Sequence, residues 1–323
     1  MSYLTNFPYG VASNGVPVLG GGIPATTGNY YFVDATNGYD GNDGRSWGTA
    51  VKTIAQAYSL TTTNHDDVIV LSTYAVHTLT EMLDITTNRV HFVGDTFGRL
   101  YGQAARITLA GAVATDIHMI RNIGVRNTFS GIKFQAANTA SQTTGGVGEG
   151  GEYTVYSNCS FECGKLSTTG YCDVLLNGDS TQFINCTFGS TAQTIVGDIV
   201  RAGVLMTAGG VAGGAGSTKD VLFQNCKFLK WAGGTTTTFV TIAADVDFTR
   251  GFIEFENCMF IANKRGSVPA VAVAGGAALT NGQVLFTGST GCTNCTKLAT
   301  QTGMISILNA KVAATQIGIQ LSG

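Results

Sequence analysis

The chain has 323 residues, with 44 glycines, only 4 prolines, 12% charged residues and a formal net charge of −2. Charged residues are about half their usual share, and a balance so near zero gives no electrostatic case for nucleic acid or an anionic membrane. No run of 18 apolar residues suggests a membrane span, and the composition suits stacked strands joined by small-residue turns, not a helical protein.

Residues 1–28 carry Gly10, Gly15, Gly20, Gly21, Gly22, Pro17 and Pro24 with little periodicity. They read as an extended N-terminal arm, either disordered or docked on a partner. No basic-then-apolar export signal opens the chain, so a cytoplasmic product is expected. Tyr30-Tyr31-Phe32-Val33 is strand-like. A turn-rich loop follows, then Trp47-Gly48-Thr49-Ala50 and a segment with helical spacing at Val51, Ile54, Ala55 and Tyr58. This opening resembles that of pectate-lyase-like β-helix proteins. The resemblance implies that the short helix caps the first open coil, and repeat arrays need such caps. Asp34, Asp40, Asn42 and Asp43 could ligate calcium, but they lack EF-hand spacing and suit a hydrogen-bonded turn better.

Strand candidates follow at Asp67–Leu71, Arg89–Gly94, Arg106–Leu109, Ile117–Ile120 and Ser130–Phe134. His91 and His118 alternate with apolar neighbours and are expected to face outward. A pattern of aromatic, any residue, Asn, Cys, any residue, Phe then recurs four times. It runs over 156–161, 183–188, 223–228 and 255–260. The two aromatics lie five positions apart, which on an unbroken strand would place them on opposite faces. Both belong in a core, so the side-chain phase must slip between them. Asn tolerates the left-handed backbone that a sharp bend needs. Bent units of this kind bury their inner face by stacking. The expected fold is therefore all-β: a right-handed parallel β-helix over residues 29–323, with a short N-terminal capping helix and Gly-rich inter-coil loops. Asn158, Asn185, Asn225 and Asn257 should form one column, an amide ladder bonding from coil to coil. Cys159, Cys186, Cys226 and Cys258 should form a second column, and Phe161, Phe188, Phe228 and Phe260 a third.

Those four cysteines read as reduced core residues. Cys292-Thr293-Asn294-Cys295 has metal-ligand spacing but no second pair, so no metal is expected. Three segments low in complexity, 139–151, 207–218 and 270–282, read as loops projecting from the helix. The strand-like tail includes 303–312 and 316–321.

The outward positions flanking each Asn-Cys corner are Ser157, Ile184, Gln224 and Glu256, then Ser160, Thr187, Lys227 and Met259. One of these is acidic, so no carboxylate pair is read there. Asp245 and Asp247 share a strand face near Arg250 and are the weak catalytic candidates. Their spacing is roughly 6.5–7 Å, close to that of inverting glycosidases, although two Asp flanking Val also suit a solvated edge. Nucleophile-elbow, P-loop and zinc-protease motifs are absent. A Gly/Pro-bearing start before a capped β-helix resembles small structural proteins of tailed bacteriophages. That resemblance implies a non-enzymatic virion protein, a head decoration or fibre protein without cofactor. It would be a homotrimer assembled in the bacterial cytoplasm and anchored to a major capsid protein or another virion protein through residues 1–28. The alternative is a tailspike-like receptor-binding protein or polysaccharide depolymerase acting on a host surface glycan.

Overall fold

A computed structural model describes residues 11–13, 16–18, 26–95, 105–109, 118–135, 145–162, 172–189, 202–216, 218–232, 238–243, 246, 251–264, 269–275, 283–295, 297–299 and 305–308. The described strands from Tyr30 onward build three parallel sheets of ten, eight and eight strands. From Asp67 to Ala299 each turn of the chain adds one strand to each sheet, and Tyr30–Val33 and Ile305–Leu308 add one more at either end of the first. Val155–Ser157, Ser160–Glu162 and Cys172–Leu176 make one coil. Gln182–Ile184, Thr187–Phe188 and Ala202–Met206 stack on it in parallel register. This is the expected right-handed parallel β-helix.

The corner between the first and second sheets has the geometry that the repeat predicts. Asn158, Asn185, Asn225 and Asn257 all have left-handed φ, between 52° and 55°. Gly131 and Gly288 extend the column at either end, with φ of 66° and 62°. The expected amide ladder needs correcting. Coil-to-coil bonding at this corner runs through the backbone: the Asn158 N–H donates to Ile184 O at 2.9 Å, Asn185 to Gln224 at 2.8 Å and Asn225 to Glu256 at 2.9 Å. Three of the four amides are solvent-exposed, and Asn185 Nδ2 lies 3.5 Å from Asn158 Oδ1, the outer limit of a hydrogen bond. Glycine at both ends shows that the corner requires the backbone conformation, not the amide.

Inside, one aromatic column runs Phe92, Phe129, Tyr156, Phe183, Phe223, Phe255, Phe286, with ring centroids 4.7 to 5.3 Å apart. The second runs Phe134, Phe161, Phe188, Phe228, Phe260 at 4.6 to 5.1 Å. The columns touch edge to face, as at Phe183 and Phe188, which suits the ring quadrupoles. Each cysteine thiol donates to the carbonyl of the aromatic residue one coil back: Cys186 to Tyr156, Cys226 to Phe183 and Cys258 to Phe223. Thr290 takes the same place in the next coil, its hydroxyl donating to Phe255 O at 2.9 Å.

The cap is a six-residue helix, Ile54–Ser59, with Thr53 accepting from Gln56 N as N-cap. Ile54 and Ala57 point into the stack, while Ala55, expected inward, is exposed. A six-residue helix has one buried stripe, and here it follows the i, i+3 row from Ile54. In the arm, Val11–Ser13 and Val16–Val18 pair as an antiparallel hairpin, where the sequence reading has only an extended segment.

Two of the segments read as loops contain strands of the third sheet, Gly145–Glu149 and Val271–Gly275. The segment 207–216 does not project. It lies back on the outer face of the third sheet, where Val211 packs on Cys172 and Leu175 and Ala215 N donates to Gly150 O at 2.8 Å. The backbones of Gly150 and Gly214 approach so closely that a Cβ on Gly150 would sit 2.7 Å from Gly214 Cα. His118, expected outward in water, is buried: its ring occupies the space that a Cβ on Gly148 would fill. The strand Ile305–Leu308 continues the first sheet, and residues 309–323 lie outside the described set.

Candidate functional site

The outer face of the first sheet carries what chemistry the described surface offers. Register fixes which side chains become neighbours. Gln182 pairs with Leu222 and Leu222 with Glu254; Ile184 pairs with Gln224 and Gln224 with Glu256. Period-2 alternation turns Phe183, Phe223 and Phe255 inward and sends the residues on either side outward. Glu254 and Glu256 therefore share the outer face of Phe252–Glu256, their Cα atoms roughly 6.5–7 Å apart at the usual rise per residue. The corner pattern begins at Phe255, so the sequence reading finds Glu256 and misses Glu254, one position before the pattern starts.

The two carboxyl groups are drawn apart. Glu256 Oε2 accepts from Gln224 Nε2 at 2.7 Å, toward the preceding coil. Glu254 Oε1 accepts from Thr287 Oγ1 at 2.8 Å, toward the following coil.

A second left-handed column flanks the same sheet where strands enter it: Arg89, Arg126, Tyr153, Ser180 and Asp220, with φ from 53° to 61°. Arg, Tyr, Ser and Asp share no turn signature, so these non-glycine corners leave no motif in the sequence. Beside them runs an open groove of about 390 Å³, lined by Tyr153, Ser180, Gln182, Asp220, Leu222, Phe252 and Glu254. Tyr153 and Phe252 are exposed there, at 53% and 38%. Exposed aromatics beside polar side chains make a surface suited to binding a ligand with both apolar and hydroxylated faces.

Other candidates fare differently. Asp245, Asp247 and Arg250 lie outside the described residues. In the loop after the first strand, Asp34 accepts from the N–H groups of Thr36 and Asn37 and from the Tyr74 hydroxyl, and these hydrogen bonds together outweigh burial and lower its pKa. Asp40 accepts from Lys52 N and Thr53 N, and Asn42 Nδ2 donates to Ala50 O. These contacts are those of a bonded turn, and among the described residues no group of three or more His, Cys, Asp or Glu could hold a metal ion. Cys292 and Cys295 are both buried. A cavity of about 480 Å³ lies under the capping helix, lined in part by Tyr58, His77, Leu79 and Leu83. It occurs where the second and third sheets begin without a partner strand, so the end of the stack accounts for it.

No protein-family model and no curated protein sequence matches the chain. Among solved structures, it is similar to the pectin methylesterase of Aspergillus niger, with 13% identity and a TM-score of 0.54 over 90% of this chain and 88% of that one. It is also similar to a rhamnogalacturonan lyase, with 13% identity and a TM-score of 0.52 over 84% and 69%. A Geobacillus virus E2 protein is similar at a TM-score of 0.39, with 12% identity over 80% and 56%, too distant to bear on origin. The likeness shows the pectate-lyase-like parallel β-helix fold. The expectation of a non-enzymatic protein is corrected by the same finding. The pectin methylesterase and the rhamnogalacturonan lyase are enzymes with this fold, and a carboxylate pair does stand on the outer face, at Glu254 and Glu256.

Proposed function

We propose that the chain is a tailspike-like polysaccharide depolymerase that lays its substrate across the outer face of the first sheet. The observation that carries this reading is the carboxylate pair beside a groove with exposed aromatics. Glu254 and Glu256 are held toward opposite neighbouring coils, which leaves a gap between them. Inverting hydrolysis needs roughly 6.5–9.5 Å between its two carboxyl groups, and side chains turned to opposite coils from Cα atoms roughly 6.5–7 Å apart suit that requirement. One acid protonates the leaving oxygen while the other takes a proton from the attacking water. Gln224 and Thr287 hold the two side chains in place. A virion setting, with trimerisation and attachment through residues 1–28, belongs to the same proposal and rests on the phage-like opening of the chain.

The test is incubation of purified protein with host surface polysaccharides, measuring new reducing ends. Glu254→Gln and Glu256→Gln should each lower the rate by about 10²–10⁴, the usual contribution of a positioned acid or base. No new reducing ends from any glycan, or full activity in both variants, would sink the reading. Finding the protein in purified phage particles tests the virion part separately.

A further inference from the structure

We infer that the glycan taken by this groove is free of anionic groups: an uncharged or amine-bearing chain, not a polyuronate. The inference deepens the depolymerase reading and rests on it. Along the floor and rim from Glu152 to Glu256, the described residues supply five acids: Glu152, Asp179, Asp220, Glu254 and Glu256. The described residues near the groove supply two bases, Lys219 and Arg126, so acids outnumber bases there even with Asp179 paired to Lys219. Lys219 Nζ lies 3.2 Å from Asp179 Oδ2, and the Arg126 guanidinium sits over the Tyr153 ring, 5.7 Å from its centroid. Arg250, two positions before Phe252, lies outside the described residues.

A polyuronate places a carboxylate on each sugar. Binding one calls for cations aimed at the chain, ideally the planar fork of arginine. The described floor offers the opposite sign, and like charges brought together in a partly dehydrated groove select against that ligand. What the floor does offer suits hydroxyls. Ser180, Gln182 and Gln224 donate and accept without net charge, and Leu222, Tyr153 and Phe252 cover apolar ring faces. Tyr153 and Phe252 stand three coils apart by strand register. At about 4.8 Å per coil that is roughly 14 Å, so the chain crosses the strands and spans several sugars between the two aromatics.

The experiment is affinity electrophoresis of the intact protein in gels containing mixed-linkage β-glucan, chitosan oligosaccharide or polygalacturonate, at low and moderate salt. The expected result is retardation by β-glucan or chitosan at least about tenfold stronger than by polygalacturonate. Joint Tyr153→Ala and Phe252→Ala substitution should abolish it. Joint Asp220→Asn and Glu254→Gln substitution should narrow the gap by admitting the polyanion. Aromatic-dependent binding that is tightest for polygalacturonate overturns the inference and leaves the glycan-groove reading standing. Retardation by none of the three, or retardation unaffected by the aromatic substitutions, overturns both.

Discussion

Glu149 is a carboxylic acid with no exposed surface, at the end of a third-sheet strand deep in the solenoid. Tyr156 OH donates to it at 2.5 Å, Asn122 Nδ2 at 2.8 Å and Gly151 N at 2.8 Å. Asn122 is in turn bonded to Thr154 and Asn127, and Asn127 to Val90 N and Thr87 O. Burial pushes the carboxyl up from its ordinary 4.5 to about 7, against the pull of those hydrogen bonds. The folded state therefore favours the protonated acid. Below pH 4.5 both states hold the proton and nothing is lost. Between 4.5 and 7 the unfolded chain releases it first, so stability falls as pH rises, and above 7 the loss is complete. The displacement corresponds to roughly 3 kcal/mol, or about 5 °C in Tm for a chain of this size. Buried His77 works in the opposite direction. Burial lowers its pKa, so its contribution is present above 6.5 and lost as pH falls. The wild-type curve alone would therefore mix two slopes. The assay is Tm against pH for wild type and Glu149→Gln, taking the difference. That difference should shift against wild type by about 5 °C between pH 4.5 and 7. A flat difference, or one of opposite sign, would refute the argument that burial outweighs the three hydrogen bonds.

The remaining predictions concern the corner and the columns. Asn225→Gly should cost little, because Gly131 and Gly288 already serve the same corner. Asn225→Ala should cost about 1–2 kcal/mol, since alanine lacks asparagine's tolerance of left-handed φ; equal Tm for the two variants would argue against a conformational role. Phe223→Ala opens a hole in the middle of a ring stack and should cost about 3–5 kcal/mol in urea unfolding; a loss under about 1 kcal/mol would contradict the packing. The seven cysteines described are all buried, and burial is the leading cause raising the thiol pKa of Cys159, Cys186 and Cys226. They should resist a thiol reagent in the folded protein and react on unfolding. Rapid labelling of Cys226 in native buffer would contradict the column. Cys258→Thr should keep near-native stability, because Thr290 makes the same bond to the carbonyl one coil back.

The corner is legible in sequence because two constraints coincide within six residues. Two rings must both face inward, and the residue between them must bend the chain. Gly131 makes the same corner with Phe129 and Phe134 around it, so the five-residue aromatic spacing carries the signal even where Asn and Cys are replaced. Ser289 breaks that spacing after Phe286, and the next corner disappears from a pattern search. The third sheet is less legible in the sequence. Gly145–Glu149 has one large apolar side chain in five, because the His118 ring fills the place of a side chain at Gly148. Composition reads such a strand as a loop, and only the coils above and below make it one.

The groove shows the same limit from the outside. Tyr153, Ser180, Asp220 and Phe252 share no motif and lie far apart in the chain. They meet because each occupies the same step of its own coil, a relation set by register and independent of what each side chain is. Stacking constrains the inward columns to rings, thiols and aliphatics, and it leaves the outward columns free to vary residue by residue. A β-helix therefore writes its fold as repetition and its chemistry as departures from repetition. Glu254 and Glu256 are such a departure: in earlier coils Val155, Gln182 and Leu222 hold the column of the first, and Ser157, Ile184 and Gln224 that of the second, and the fold alone would not have required either acid.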